Sequence, residues 1–221
     1  HARDRLPPAA QDRYAYFRRL LEEAGVVTPD LLSAMVAAKP ESPVFLQTDT
    51  HWTPFGARIA AQAIASDIDG TISGLELQSS SFSLTAEEPV PVRGDLVPFL
   101  SLGSFDAIGP EEEIIEPYLA GAVEPSPSGL FAVPEIPVTV VGTSYSADPR
   151  WSFVEALKIT LQSDVLGVAS AGDGPFVPMS EYLDGDTITD VPPQLVIWEI
   201  PVRYVTGWRP DGSLNRSASS G

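Results

Sequence analysis

Apolar periodicity is clear in several segments of the chain and lost in one long stretch between them. Over residues 8–24, Tyr14, Phe17, Leu20, Leu21 and Ala24 recur at helical spacing and Gly25 follows as a stop, which predicts an amphipathic helix. A second helix is expected from Pro29 to about Ala38, and the short apolar run Val44-Phe45-Leu46 predicts a buried strand. Thr53 and Pro54 then read as the cap and first residue of a helix continuing through Ile59, Ala60, Ala63 and Ile64. From about residue 69 to 136 the pattern gives way to Pro, Gly, Ser and Glu. This stretch reads as an irregular insertion with a few short elements, and its acidic run Glu111-Glu112-Glu113 as a solvated face.

Periodicity returns at Val138-Thr139-Val140-Val141, short and β-branched, as expected of a strand buried on both faces. Gly142-Thr143-Ser144-Tyr145-Ser146 follows at once. Asp148 and Pro149 are expected to open a helix carrying Trp151, Val154, Leu157 and Leu161. Asp164–Val168 predicts another strand, Gly172-Asp173-Gly174-Pro175 a turn, and Leu195–Trp198 a last strand. Strand–loop–helix units repeated three times predict an α/β fold. We expect a three-layer sandwich with a mainly parallel central sheet, forming a single domain over 1–221. Ligands of such sheets bind outside the carboxyl ends of the strands. Asp49, His51, Ser144 and the segment after Trp198 all fall at such ends.

Composition narrows the functions. The 221 residues are 43% hydrophobic and 19% charged, an ordinary globular balance. A formal net charge of −17 argues against nucleic acid and anionic lipid as partners. An anionic polymer would need basic residues gathered in a cleft, and only 13 Lys and Arg exist to do this. With no cysteine, disulfides, thiolate metal sites and cysteine nucleophiles are excluded. No run approaches the ~20 apolar residues of a membrane helix and no signal peptide is present. The opening His1-Ala2-Arg3-Asp4-Arg5 leads straight into a helix, so the natural N-terminus is expected to lie upstream.

A serine hydroxyl needs a neighbouring base, and the base an orienting group. Ser144, on a turn from strand to helix, has the context of an exposed nucleophile. Of two histidines, His1 is terminal, leaving His51 as the general base, with Asp49 two residues before it to fix the tautomer. Singly, each has a plain structural reading: a turn serine, a capping histidine, a hydrogen-bonded Asp-x-His loop. A metal site on Asp49 and His51 lacks ligands without a second histidine or a cysteine.

The string Asp49-Thr50-His51-Trp52-Thr53-Pro54-x-Gly56, followed by Val141-Gly142-Thr143-Ser144-Tyr145-Ser146, resembles the SGNH-hydrolase-like domain of the alginate O-acetyltransferases (AlgJ/AlgX type). Gly94-Asp95-Leu96, Gly172-Asp173-Gly174-Pro175 and Ile197-Trp198-Glu199-x-x-x-Arg203 extend the resemblance across residues 10 to 205. It implies an SGNH-like fold with permuted motif order, Ser144 as nucleophile, and Asp49 and His51 as acid and base. It further implies acetylation of hydroxyls on a secreted polysaccharide, an acetyl donor supplied by a membrane-bound O-acyltransferase, and a periplasmic location with an upstream tether. The scheme uses no cofactor or metal.

Within these 221 residues two features of the family are not read: a strand before the opening helix and a carbohydrate-binding module after residue 205. Together with the acidity, this keeps a neutral polymer such as cellulose open as acceptor. Trp52 and Tyr145 are candidates for stacking on a sugar ring, Trp52 equally for packing the helix start. Arg203 and Arg150 are candidates for holding a uronate or acetyl oxygen, with an ion pair to Glu199 the simpler reading for Arg203. The alternatives are a carbohydrate esterase with the same triad and a non-catalytic polysaccharide-binding subunit.

Overall fold

The structure, a computed structural model, describes residues 8–72, 75, 77, 80–103, 109–123 and 136–207. The chain divides into two compact units: Pro29–Glu199, and a terminal unit of which residues 8–28 and 200–207 are described. The terminal unit holds helix α1 (Pro8–Glu23) and a 3-10 turn at Val202–Gly207, which pack on each other.

The larger unit is built on a three-stranded parallel sheet in the order β6-β5-β7, with β5 at Val138–Gly142, β6 at Val165–Ala169 and β7 at Leu195–Trp198. Every residue of β5 is buried, so both its faces are covered. This is why the strand reads as an unbroken apolar run rather than an alternating one. Gly142 of β5 pairs with Ala169 and Val141 with Trp198. The carboxyl ends of all three strands therefore share one rim.

Helix α3 (Pro54–Thr71) buries Ala57, Ala60, Ala61, Ile64 and Ile68, a stripe at helical spacing. It packs against α5 (Phe153–Leu161), which buries Phe153, Ala156 and Leu157. Thr53 caps α3 as its sequence predicts, accepting from Gly56 N–H at 3.1 Å, and its own hydroxyl donates to Pro43 O at 2.6 Å. Gly56 is there for space. A Cβ would stand 2.0 Å from Val44 O, so Gly56→Ala must push two backbones apart. Overpacking of this kind costs about 1–3 kcal/mol, and chemical denaturation should show a loss in that range. Helix α2 (Leu31–Ala38) is capped by Asp30, whose carboxylate accepts from Ser33 N–H at 3.1 Å.

Three expectations are corrected. Val44–Leu46 is not a strand: Phe45 makes one isolated antiparallel bridge with Trp52, because the chain reverses at once and offers no further partner. The helix expected from Pro149 is split into a 3-10 turn at Pro149–Trp151 and α5, with Ser152 in the left-handed region at φ 54° between them. Helices α6 (Phe176–Asp184) and α7 (Thr187–Asp190) follow a segment read only as a turn. Pro178 hides α6 in the sequence, yet in the first turn its missing N–H is no loss. Within the insertion the short elements include paired strands. Strand β1 (Phe82–Ala86) pairs antiparallel with β4 (Tyr118–Ala122), and β2 (Val90–Val92) with β3 (Glu113–Ile115) nested between them. Parts of the stretch, residues 104–108 and 124–135 among them, lie outside the described residues.

Candidate active site

The segment from residue 46 to 51 is a tight loop closed at its base, with Leu46 N–H donating to His51 O at 3.1 Å and Thr53 N–H to Val44 O at 3.1 Å. His51 thus leaves the loop where α3 is about to start. Ser144 begins the short helix α4 (Ser144–Ala147) directly after β5, capped by the Thr143 hydroxyl. These two turns meet. His51 Nε2 lies 2.7 Å from Ser144 Oγ, and His51 Nδ1 lies 2.5 Å from Asp49 Oδ1. A carboxylate only accepts, so Nδ1 carries the hydrogen and a neutral ring presents Nε2 as acceptor to the serine hydroxyl.

Packing holds the imidazole in this pose. Trp151 is stacked on it with centroids 5.0 Å apart and planes 15° from parallel, and the Tyr145 ring lies 4.6 Å away at 45°. The His51 side chain is 12% exposed. Trp52 donates its indole N–H to Tyr145 O at 3.2 Å and packs on Phe153, while the Tyr145 hydroxyl donates to Thr50 O. Trp52 and Tyr145 are only 5% and 8% exposed. Both rings are enclosed as packing around these two turns, the reading also held open for Trp52. Arg203 is an exposed residue of the 3-10 turn in the terminal unit, its guanidinium carbon 5.1 Å from the Tyr204 ring centre.

The sequence did not reveal what clamps the Asp49–His51 loop. Asp49 Oδ1 also accepts from His51 N–H at 2.9 Å, and its Oδ2 accepts from Asp95 N–H at 2.9 Å. Asp95 in turn accepts from Thr50 N–H at 2.8 Å and from the Thr50 hydroxyl at 2.6 Å. Gly94 makes this approach possible, since a Cβ there would sit 1.9 Å from Thr48 O. From the other side the Glu113 carboxylate accepts from Gln47 N–H, Thr48 N–H and the Thr48 hydroxyl at 2.7–3.0 Å. Glu113 is therefore a clasp, which corrects the reading of the whole acidic run as a solvated face. The Gly94-Asp95-Leu96 resemblance was the one signal that pointed into this region.

Burial works to raise the pKa of Asp49, but hydrogen bonds from the backbone and ring of His51 and from the Asp95 backbone, with attraction to His51, outweigh it. The carboxyl titrates below its ordinary 3.8. Glu113 behaves alike: burial opposes, the donors from Gln47 and Thr48 prevail, and its pKa falls below 4.5. A lowered folded pKa stabilises above the unfolded value, and that contribution is lost as pH falls through the folded one. Stability should therefore decline on acidification below about pH 4.5. Glu113→Gln should remove part of that slope and cost about 1–2 kcal/mol at neutral pH, after discounting for solvent at this half-buried carboxylate. Denaturant melts across pH would check both.

On the Ser144 side, Glu199 follows β7 and buttresses the turn. Its carboxylate accepts from Thr143 N–H at 2.7 Å, from the Thr143 hydroxyl at 2.9 Å and from the Ser146 hydroxyl at 3.2 Å. Gly142 leaves room for it, as a Cβ there would lie 2.6 Å from Glu199 Oε2. Asp49, His51 and Asp95 also bring ligand atoms within 4.8 Å of one another. Asp95 was missed as a third such group. Asp49 is spent on His51 and Asp95 N–H, and Asp95 on Thr50, so hydrogen bonding already accounts for the cluster.

A family model described as the SGNH hydrolase-like domain of the acetyltransferase AlgX matches residues 1–202. The chain belongs to this family. It is 42% identical over 210 residues to the probable alginate O-acetylase AlgJ of Pseudomonas syringae pv. tomato, covering 93% of this chain and 54% of that protein. The corresponding protein of Pseudomonas aeruginosa is 38% identical over 90% of this chain and 54% of its own. The chain thus spans about half the length of the curated relatives it matches. Among solved structures, the O-acetyltransferase domain of Pseudomonas putida AlgJ superposes with a TM-score of 0.80 at 38% identity, covering 94% of this chain and 72% of that one. Pseudomonas aeruginosa AlgX, at 19% identity and a TM-score of 0.69 over 99% of this chain and 55% of that one, shares the fold. The SGNH-like α/β architecture expected from the sequence is therefore shown.

Proposed function

We propose that this domain is a polysaccharide O-acetyltransferase that works through an acetyl-serine intermediate, with Ser144 as nucleophile, His51 as general base and acid, and Asp49 as the group orienting His51. The observation that carries this reading is the unbroken run of hydrogen bonds Ser144 Oγ–His51–Asp49 at the carboxyl rim of the sheet, in a chain of an acetyltransferase family.

Ser144 Oγ attacks the acetyl carbonyl carbon of the donor as Nε2 takes the hydroxyl proton. The tetrahedral intermediate collapses, the donor's leaving oxygen takes that proton back from Nε2, and acetyl-Ser144 remains. A sugar hydroxyl then gives its proton to Nε2 and attacks the acetyl-enzyme, and the proton returns to Ser144 Oγ as the new ester departs. At the nucleophile turn, Thr143 N–H is taken by Glu199 and Tyr145 N–H by the Thr143 hydroxyl at 3.4 Å. Ser144 N–H is therefore the amide we assign to the oxyanion, a donor worth about 3 kcal/mol of barrier. The names of the relatives favour alginate as acceptor, and the family resemblance of the sequence implies a membrane-bound acyltransferase as donor and a periplasmic site of action. Among the described residues no helix is long and apolar enough to cross a membrane.

An esterase would use the same side chains with water as acceptor. The two part when the protein is given a chromogenic acetyl ester with and without an alginate oligosaccharide. The transferase reading expects an added acetyl group on the oligosaccharide by mass. Release of acetate alone, indifferent to the sugar, would replace it with the esterase.

A further inference from the structure

A net charge of −17 works against any polyuronate approaching this protein, so a cation near the triad has a large part to play. Arg150 stands there. It lies on the 3-10 turn Pro149–Trp151, six residues after Ser144, and its guanidinium carbon is 5.0 Å from the centre of the Trp151 ring. That same ring is stacked on His51 at 5.0 Å. The guanidinium is therefore no farther from the imidazole than these two spacings laid end to end. Asp148 fixes its direction, accepting from Arg150 Nε at 3.0 Å, from Nη2 at 2.6 Å and from the backbone N–H at 3.0 Å.

The grip by Asp148 uses one edge of a fork that has five N–H donors. The side chain is 46% exposed, and among the described residues no bond engages Nη1. What remains is a fixed pair of donors, Nη1 and the second hydrogen of Nη2, of the geometry that binds a carboxylate through both oxygens. Partial neutralisation by Asp148 keeps the interaction moderate, which suits a polymer that must move on after each transfer.

We propose that Arg150 is a specificity-determining residue that binds the carboxylate of a uronate unit in the acceptor, so that the domain selects polyuronates over neutral polymers. The assignment rests on the transferase reading above and names the charge its acceptor must carry.

The test compares an alginate oligosaccharide with the same oligosaccharide after reduction of its carboxyls to alcohols. Binding to Ser144→Ala protein is measured by calorimetry, with Arg150 intact, Arg150→Gln or Arg150→Lys. Arg150→Gln is expected to weaken binding of the charged oligosaccharide about fivefold while the reduced one keeps its affinity, and Arg150→Lys to recover part of the loss. In turnover with Ser144 present, the same change should raise KM for the charged acceptor and hold kcat. Equal losses on both oligosaccharides, no loss on either, or no preference for the charged one with Arg150 intact would each overturn the assignment. If the charge preference depends on Arg150 but no acetyl group is ever transferred, the transferase reading falls and the binding assignment stands.

Discussion

Ser144→Ala is expected to lower acetyl transfer by about 10⁴- to 10⁶-fold and to abolish the covalent acetyl adduct in intact-mass spectra. The size follows from removing the atom to which the acetyl group is bonded: what survives is positioning and the oxyanion donor, which alone give a small part of the acceleration. The fold should be spared, because the hydroxyl's described bond is to His51 and the Thr143 cap and Glu199 buttress stay in place. A melting temperature within a few degrees of the parent, with activity gone, is the expected pair of results. An acetyl adduct of unchanged yield in the variant would remove Ser144 from the mechanism.

Asp49→Asn should come next, with a loss of about 10³- to 10⁴-fold. The substitution keeps size and shape but offers an amide to Nδ1. An amide N–H directed at that nitrogen turns it into the acceptor, moves the ring hydrogen to Nε2, and leaves Ser144 facing a donor instead of a base. Since the Asp49 carboxyl titrates below 3.8, it is ionised across the neutral range, and the wild-type rate owes no acid limb to it until pH falls under that value. The variant's loss should therefore be present at neutral pH, where the parent carboxylate is ionised. Full activity in Asp49→Asn would mean that packing by Trp151 and Tyr145 alone orients the imidazole.

Much of this site was legible in the chain because its chemistry is carried by local strings. Thr53-Pro54 announced a capped helix, an apolar β-branched run announced β5, and both deliver their neighbours His51 and Ser144 to the same rim. What stayed hidden depends on contacts between distant segments. Glu113 lies 65 residues from Thr48, and nothing in an acidic run tells a carboxylate that accepts backbone donors from one that faces water. Val44–Leu46 misled for a related reason, since an apolar triplet cannot say whether a pairing partner exists. Helix α6 was masked by Pro178 and the glycine-rich turn before it, both compatible with a helix start once the backbone is seen. The burial of Trp52 and Tyr145 is likewise set by contacts between distant segments.

The segment bearing His51 has little backbone hydrogen bonding of its own beyond the two bonds at its base. Gly94, Asp95 and Glu113, all from the nested hairpins, shape it instead. Chimeras between relatives should respect that dependence. Grafting the hairpins of one homologue onto another without the matching Gln47–His51 loop should yield a protein that still folds around its parallel sheet but is chemically mute. Exchanging both as a cassette should carry the reactivity along.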